Sequence, residues 1–353
     1  MNRKVIYFIS WLFIAFCACK KDKPDEIKYS KDKGVFICNE GNFTYGNASL
    51  SFYDTETGET SNQVFFNANG FPVGDVLQSM AIHGNKGYLV VNNSGKVFVI
   101  NTDDFTHFAT ISGLTSPRYI EFIDDSKAYV SDLYSSSIAI INPATCEITG
   151  YVNAGTSTEQ MVKLGEYVFV ASWSDNNKIL KINCVNDILE DSLTIAWQPN
   201  SLAMDKNDML WALSDGNLTG AKDTAALTCI NTNTFTIEKV FTFPDVSSSP
   251  SRLCINSTKD TLFYINGSWG GSISGSGVCK MPVDAQALPS APIISEDTRL
   301  FYGLDIDPET SVLYVTDAID YVQNGWVFRY TSTGAKIDSF KVDIVPGAFC
   351  FKF

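Results

Sequence analysis

The sequence predicts an all-β fold, a seven-bladed β-propeller with N- and C-terminal strands closing one blade. Three observations carry this. A four-strand unit is cleanest over Ser116–Gly155 and recurs along the chain. The copies are spaced about 39 to 51 residues apart, within or slightly above the period of one propeller blade. The two ends of the chain supply complementary fractions of one unit.

In the reference unit, Arg118–Ile123 turns at Asp124-Asp125-Ser126, Ala128–Val130 ends in Ser-Asp, Ile138–Ile141 closes on Asn142-Pro143, and Ile148–Val152 stops before Gly155. Short β-branched or aromatic runs bounded by Asp, Asn, Ser, Pro or Gly are strands joined by tight turns. The residue equivalent to Arg118 recurs as Ser79, Gln160, Ser201, Arg252, Gly303 and Gly347, which makes seven units. Helical repeats would show an apolar period of 3.6 instead.

Taken in order, residues 1–18 read as a signal peptide: a basic Asn2-Arg3-Lys4 start, an apolar Val5–Phe16 run too short to span a membrane, and Ala18 before Cys19. The run resembles a bacterial lipoprotein signal, with Cys19 as the lipidated residue; an ordinary secretory signal is the other reading. Residues 19–33 form the lipidated cysteine and a charged, flexible tether. Its Lys-Lys-Asp start resembles the export signals of surface lipoproteins in the Bacteroidetes, so the expected location is the outer membrane at the cell surface, with the periplasmic face as the alternative.

Residues 34–353 form the propeller. Blade one opens on Val35–Cys38, followed by Ser49–Tyr53 and Gln63–Phe66, and lacks an inner strand. The C-terminal Ala348–Phe353 is an inner strand with nothing after it, and pairing it beside Val35–Cys38 removes the open edges of the ring. The units near 51 residues carry insertions at Gly216–Ala226 and Trp269–Ser276.

Without Arg3 and Lys4 the chain has 24 basic and 39 acidic side chains, a net charge of about −15. That balance argues against nucleic acid and against a basic membrane-docking face. Cys38, Cys146, Cys184, Cys229, Cys254, Cys279 and Cys350 have no CxxC spacing and mostly fall in strands, as small buried hydrophobes do. Cys38 and Cys350 would lie on neighbouring strands, where an envelope location permits a disulfide.

Loops between second and third strands and linkers between blades open on one propeller face. Here they carry Asn39, Phe43, Tyr45, Asn93, Asp132, Tyr134, Trp173, Trp269 and Tyr321 in the former, and Arg118, Gln160, Trp197, Asn200, Arg252, Phe301 and Tyr302 in the latter. Rings flanked by amides and guanidinium groups suit a large, partly apolar ligand, because the rings supply area and the polar groups fix orientation. Single rings of this set also suit packing between blades. Catalytic patterns are sparse: His83 and His107 fit no triad or metal spacing, and Asp205, Asp208, Asp305 and Asp307 read as turn formers on the opposite face, with Ca2+ binding as the lesser alternative. No phosphate-binding glycine loop, HExxH or GxSxG occurs.

The Cys19 signal, the YVSD-type second strands, the INPATCEI-type third strands and the VFICNEGNF opening resemble the YncE-like propeller lipoproteins of Bacteroidetes. More narrowly, they resemble the BtuG-type surface cobalamin-binding proteins. The resemblance spans the mature chain at the level of architecture and is most specific at ICNEGNF. It implies non-catalytic capture of a corrinoid, with cobalamin as transported ligand and no cofactor, and hand-over to a TonB-dependent outer-membrane transporter. Rings at Tyr45, Tyr134, Trp173, Trp269 and Tyr302 would meet the corrin, amides at Asn39, Asn93, Gln160 and Asn200 its side chains, and Arg118 and Arg252 its phosphate. The alternatives are a scaffold binding protein or glycan through the same face, and a propeller lyase or oxidoreductase, against which the shortage of histidine weighs.

Overall fold

The computed structural model describes residues 33–174, 176–216, 223–267 and 275–353. Seven four-stranded antiparallel sheets form the ring. Blade 1 has the strand order Pro346–Lys352, Gly34–Asn39, Ser49–Asp54 and Thr60–Ser61. Blades 2 to 7 follow in sequence, with inner strands Leu77–His83, Pro117–Asp124, Met161–Leu164, Pro199–Met204, Ser251–Ile255 and Phe301–Ile306. The reference unit becomes Pro117–Asp124, Lys127–Asp132, Ser137–Asn142 and Glu147–Asn153, within a residue or two of the sequence reading.

The ring closes as expected. Gly34 to Cys38 lie opposite Lys352 to Ala348, and Asn39 lies opposite Pro346 after a bulge. In this register Cys38 faces Ala348 and Cys350 faces Phe36, so the two cysteines are offset by two residues, and both are free thiols.

Apolar side chains collect between the blades. The seven hydrophobic clusters each combine residues of two neighbouring blades, for example Tyr88, Val99, Ile120 and Ala139 from blades 2 and 3. Large rings recur on the second strands and are fully buried: Tyr88, Tyr129, Phe169, Trp211, Tyr264 and Tyr314. Burial of each such side chain contributes roughly 1.5–3 kcal/mol. Where the ring has a polar tip, it is partnered: the Tyr88 hydroxyl donates to Pro143 O at 2.9 Å, that of Tyr129 to the Asp187 carboxylate, and the Trp211 indole to Asp205 Oδ2 at 2.9 Å.

Two expectations are corrected. Gln63–Phe66 is not a strand: blade 1 ends in the two-residue strand Thr60–Ser61, and Val64–Asn69 is a short helix. Val64 and Phe65 turn into the blade 1–2 interface and are buried together, a placement that consecutive strand residues, alternating between faces, cannot reach. Gln63 and Gly70 bracket the helix in left-handed conformation. Asp305 is not a turn former either. It lies within the inner strand of blade 7 opposite Tyr314, and Asp307 is the residue that caps the turn, accepting from the Glu309 and Thr310 amides at 2.8 and 3.1 Å.

Candidate functional site

Except in blade 4, the second strands end in Asp or Asn or are followed directly by one, and these side chains help fix the loop face. Asp132 accepts from the Thr115 and Ser116 amides, both at 2.9 Å, and from the Tyr134 and Ser135 amides at 3.0 Å. Asp317 does the same with Leu300 and Ile319 at 3.0 and 2.9 Å. Each carboxylate thereby ties a loop to the linker entering its own blade.

Hydrogen bonds then join loop to loop around the ring. The Asn42 amide donates to Tyr321 O, Thr44 N to Asp75 Oδ2 at 2.9 Å, Asn92 Nδ2 to Ser116 Oγ at 2.8 Å, and Gln198 N to Asn176 O at 2.8 Å. These contacts place the second-to-third-strand loops and the inter-blade linkers on one face.

At the centre of that face two arginines bridge blades. Arg118, on blade 3, donates through Nε to Glu159 Oε2 at 2.8 Å and through NH2 to Glu159 Oε1 at 2.7 Å, while NH1 reaches Gln78 Oε1 at 2.5 Å. It thus links blades 2, 3 and 4. Arg252, on blade 6, donates to Tyr302 O at 3.1 Å, lies 5.2 Å from the Tyr302 ring centroid, and approaches Glu40 Oε1 at 3.7 Å. The Tyr302 hydroxyl donates to Glu40 Oε2 at 2.9 Å, so this group joins blades 6, 7 and 1. Between the two groups, Gln160 accepts from Leu202 N at 2.6 Å and Asn200 donates to Pro250 O at 2.8 Å. The floor of the mouth is a belt of two guanidiniums and two carboxylates.

The electrostatics follow from burial. The charge of Glu159 raises the Arg118 pKa despite the desolvation of its guanidinium. Burial pushes Glu40 up, with Arg252 and the Tyr302 hydroxyl opposing. Further carboxyls on the inner strands have weaker support: burial lifts Glu121 to about 7 and Asp305 to about 7. At the rim, burial takes Asp215 to about 7 against hydrogen bonds from the Trp173 indole, at 3.2 Å, and Asn200.

The sequence-predicted residues therefore separate into three groups. Phe43, Tyr45, Asn93, Tyr134 and Tyr321 stand exposed on the face, with Tyr45 at 78% and Tyr134 at 75%. Trp173, Trp197, Gln160, Asn200, Tyr302, Arg118 and Arg252 are half-buried in its walls and floor, where Tyr302 and Tyr321 meet edge to face at 5.5 Å. Asn39, Asp132 and Phe301 are buried in the framework. Asn39 donates to Ser51 Oγ at 2.9 Å, Asp132 clamps its loop, and Phe301 packs in the blade 6–7 cluster. Trp269 and Cys19 lie outside the described residues.

The sequence reading assigned no role to Glu40, Glu159 or Gln78. The available signal was their position: Gln78 and Glu159 directly precede the Ser79 and Gln160 repeat markers, and Glu40 follows the blade 1 strand. An acid at such a position beside an arginine in a neighbouring unit indicates an inter-blade ion pair. Arg118 is committed to Glu159, while Arg252 is held by Tyr302 O and lies 3.7 Å from Glu40, so a phosphate at the mouth would compete with Glu159 and share Arg252 with Glu40.

A cavity of about 670 Å³ opens on the opposite face between blades 5 and 6. Its carboxylates serve the turns: Asp205 accepts from Asn207 N and the Trp211 indole, and Asp260 from Asn256 and Thr261. Among the described residues no group of three or more His, Cys, Asp or Glu is arranged to hold a metal ion.

The fold has many solved counterparts. A Lactobacillus plantarum protein aligns with a TM-score of 0.69 at 14% identity, over 91% of this chain and 100% of its own. A quinonprotein alcohol dehydrogenase-like protein from Bacteroides thetaiotaomicron gives 0.65 at 16%, over 91% and 78%. A putative 6-phosphogluconolactonase from Bacteroides fragilis gives 0.63 at 14%, over 91% and 98%. At these identities the likeness is one of fold. No curated protein matches the sequence. A family model, the domain of unknown function DUF5074, matches residues 33–351. That match spans the whole ring, and the chain belongs to the DUF5074 family.

Proposed function

We propose that this protein is a non-catalytic binding module whose loop face captures cobalamin or a related corrinoid. In this reading a lipid on Cys19 anchors it to the outer membrane at the cell surface, and it passes its ligand to a TonB-dependent transporter. The observation that supports it is the exposed aromatic rim, Phe43, Tyr45, Tyr134 and Tyr321, around a polar mouth walled by Trp173, Trp197 and Tyr302. Rings left in water on the loop face are apolar area that a bound ligand can cover. An electroneutral floor with amide groups suits a ligand rich in carboxamides better than a simple anion.

The test is gel filtration of the protein from Lys20 onward with cyanocobalamin at sub-micromolar protein, read by visible absorbance. One chromophore per chain is expected to co-elute unchanged. Its loss in Trp173→Ala and Tyr134→Ala, with the fold retained, would assign the site to this face. Folded protein that elutes without the chromophore sinks the corrinoid reading.

A further inference from the structure

Blade 1 is where the repeat breaks. Its outer strand is cut to Thr60–Ser61, as that of blade 6 is to Ile294–Ser295, but here the chain continues into the Val64–Asn69 helix, the only helix among the described residues. A cavity of about 280 Å³ opens there between blade 1 and the end of blade 7, at the outer part of the loop face. Departures from an otherwise consistent pattern are the expected positions of functional sites.

The cavity holds Asp343, which is 9% exposed and takes part in none of the ion pairs among the described residues. Ser49 Oγ donates to its Oδ2 at 2.7 Å, and Asn324 Nδ2 reaches Oδ1 at a weak 3.4 Å. The Ser49 oxygen in turn accepts from Asn39 Nδ2 at 3.2 Å, which fixes its proton on Asp343. A carboxylate offers about four acceptor positions, so Asp343 retains unused capacity on both oxygens. Gln63, Phe66, which is 46% exposed, and Pro72 also line the cavity.

We infer that this lateral cavity is a binding site for a single sugar ring, with Asp343 accepting hydrogen bonds from adjacent hydroxyls and Phe66 covering an apolar C–H face. A largely buried carboxylate with spare acceptor positions and no cation beside it among the described residues favours a ligand that brings donors. The volume falls just below the range, from about 300 Å³, of drug-sized pockets, which limits the occupant to one ring. Amide and carboxylate beside an aromatic face match a ring that is polar at its edge and apolar on its plane. The site is separate from the mouth and does not depend on what the mouth binds.

Saturation-transfer NMR of the protein from Lys20 onward with methyl glucoside, methyl galactoside and methyl mannoside tests it, with propylammonium as the competing chemistry. Saturable binding of at least one glycoside, of millimolar order as for a small polar ligand, is expected, at least tenfold weaker in both Asp343→Asn and Phe66→Ala. Phe66 is on the surface, so its variant reports even if Asp343→Asn is unstable. Absence of binding by all three glycosides, tighter binding of propylammonium, or glycoside binding unchanged in Phe66→Ala would overturn the assignment.

Discussion

Arg118 and Glu159 form a two-pronged ion pair across the interface between blades 3 and 4, with the Arg118 and Glu159 side chains only 17% and 4% exposed. The same guanidinium holds Gln78 from blade 2, so one side chain locks three consecutive blades at the mouth.

Removing one partner leaves the other charge buried and alone. Arg118→Met is expected to destabilise the ring by about 3–5 kcal/mol, and Arg118→Met combined with Glu159→Met to recover much of that loss. Urea unfolding of wild type, both single variants and the double variant measures the coupling. Additive effects would show that the pair does not act as a unit.

Stability should fall as pH rises from about 4 to 7. Burial raises Glu121 and Asp305 to about 7 from ordinary values of 4.5 and 3.8. The folded protein therefore keeps these protons where the unfolded chain has released them. Their contribution is full below about pH 4 and is lost as pH passes through 7. The urea midpoint is expected to be higher at pH 5 than at pH 7.5, with a smaller difference in Asp305→Asn. An equal difference in that variant would remove Asp305 as a source.

Closure of the ring rests on a strand supplied from the far end of the sequence. Deleting residues 346–353 removes the partner of Gly34–Asn39 and uncovers Phe36, Ile37 and Cys38, all fully buried in the intact ring. An unpaired apolar edge favours association. The shortened chain is expected to elute as aggregate and to lose its cooperative thermal transition, checked by gel filtration and circular dichroism. A monomer with wild-type melting would contradict this role.

The sequence by itself determined the blade count, the four-strand unit and the closure of blade 1, because each strand is written locally in alternating apolar residues and turn formers. Tyr129 on its strand and Asp132 at its end, for example, have positions that a period of two and a turn signal define. It also located the face loops, since propeller connectivity alone sends those connections to one side. Only the tertiary structure decided which of those residues remain available to a ligand. Asn39 and Tyr45, six residues apart and of similar promise in sequence, end at opposite extremes: one fully buried on Ser51, the other 78% exposed. Partners such as Arg118 with Glu159, and Arg252 with Tyr302 and Glu40, are distant in the chain and meet through the curvature of the ring. The Val64–Asn69 helix and the cavity beside it arise in the same way. Val64 and Phe65 reach the blade 1–2 interface only by abandoning the strand, a packing advantage that no local pattern records.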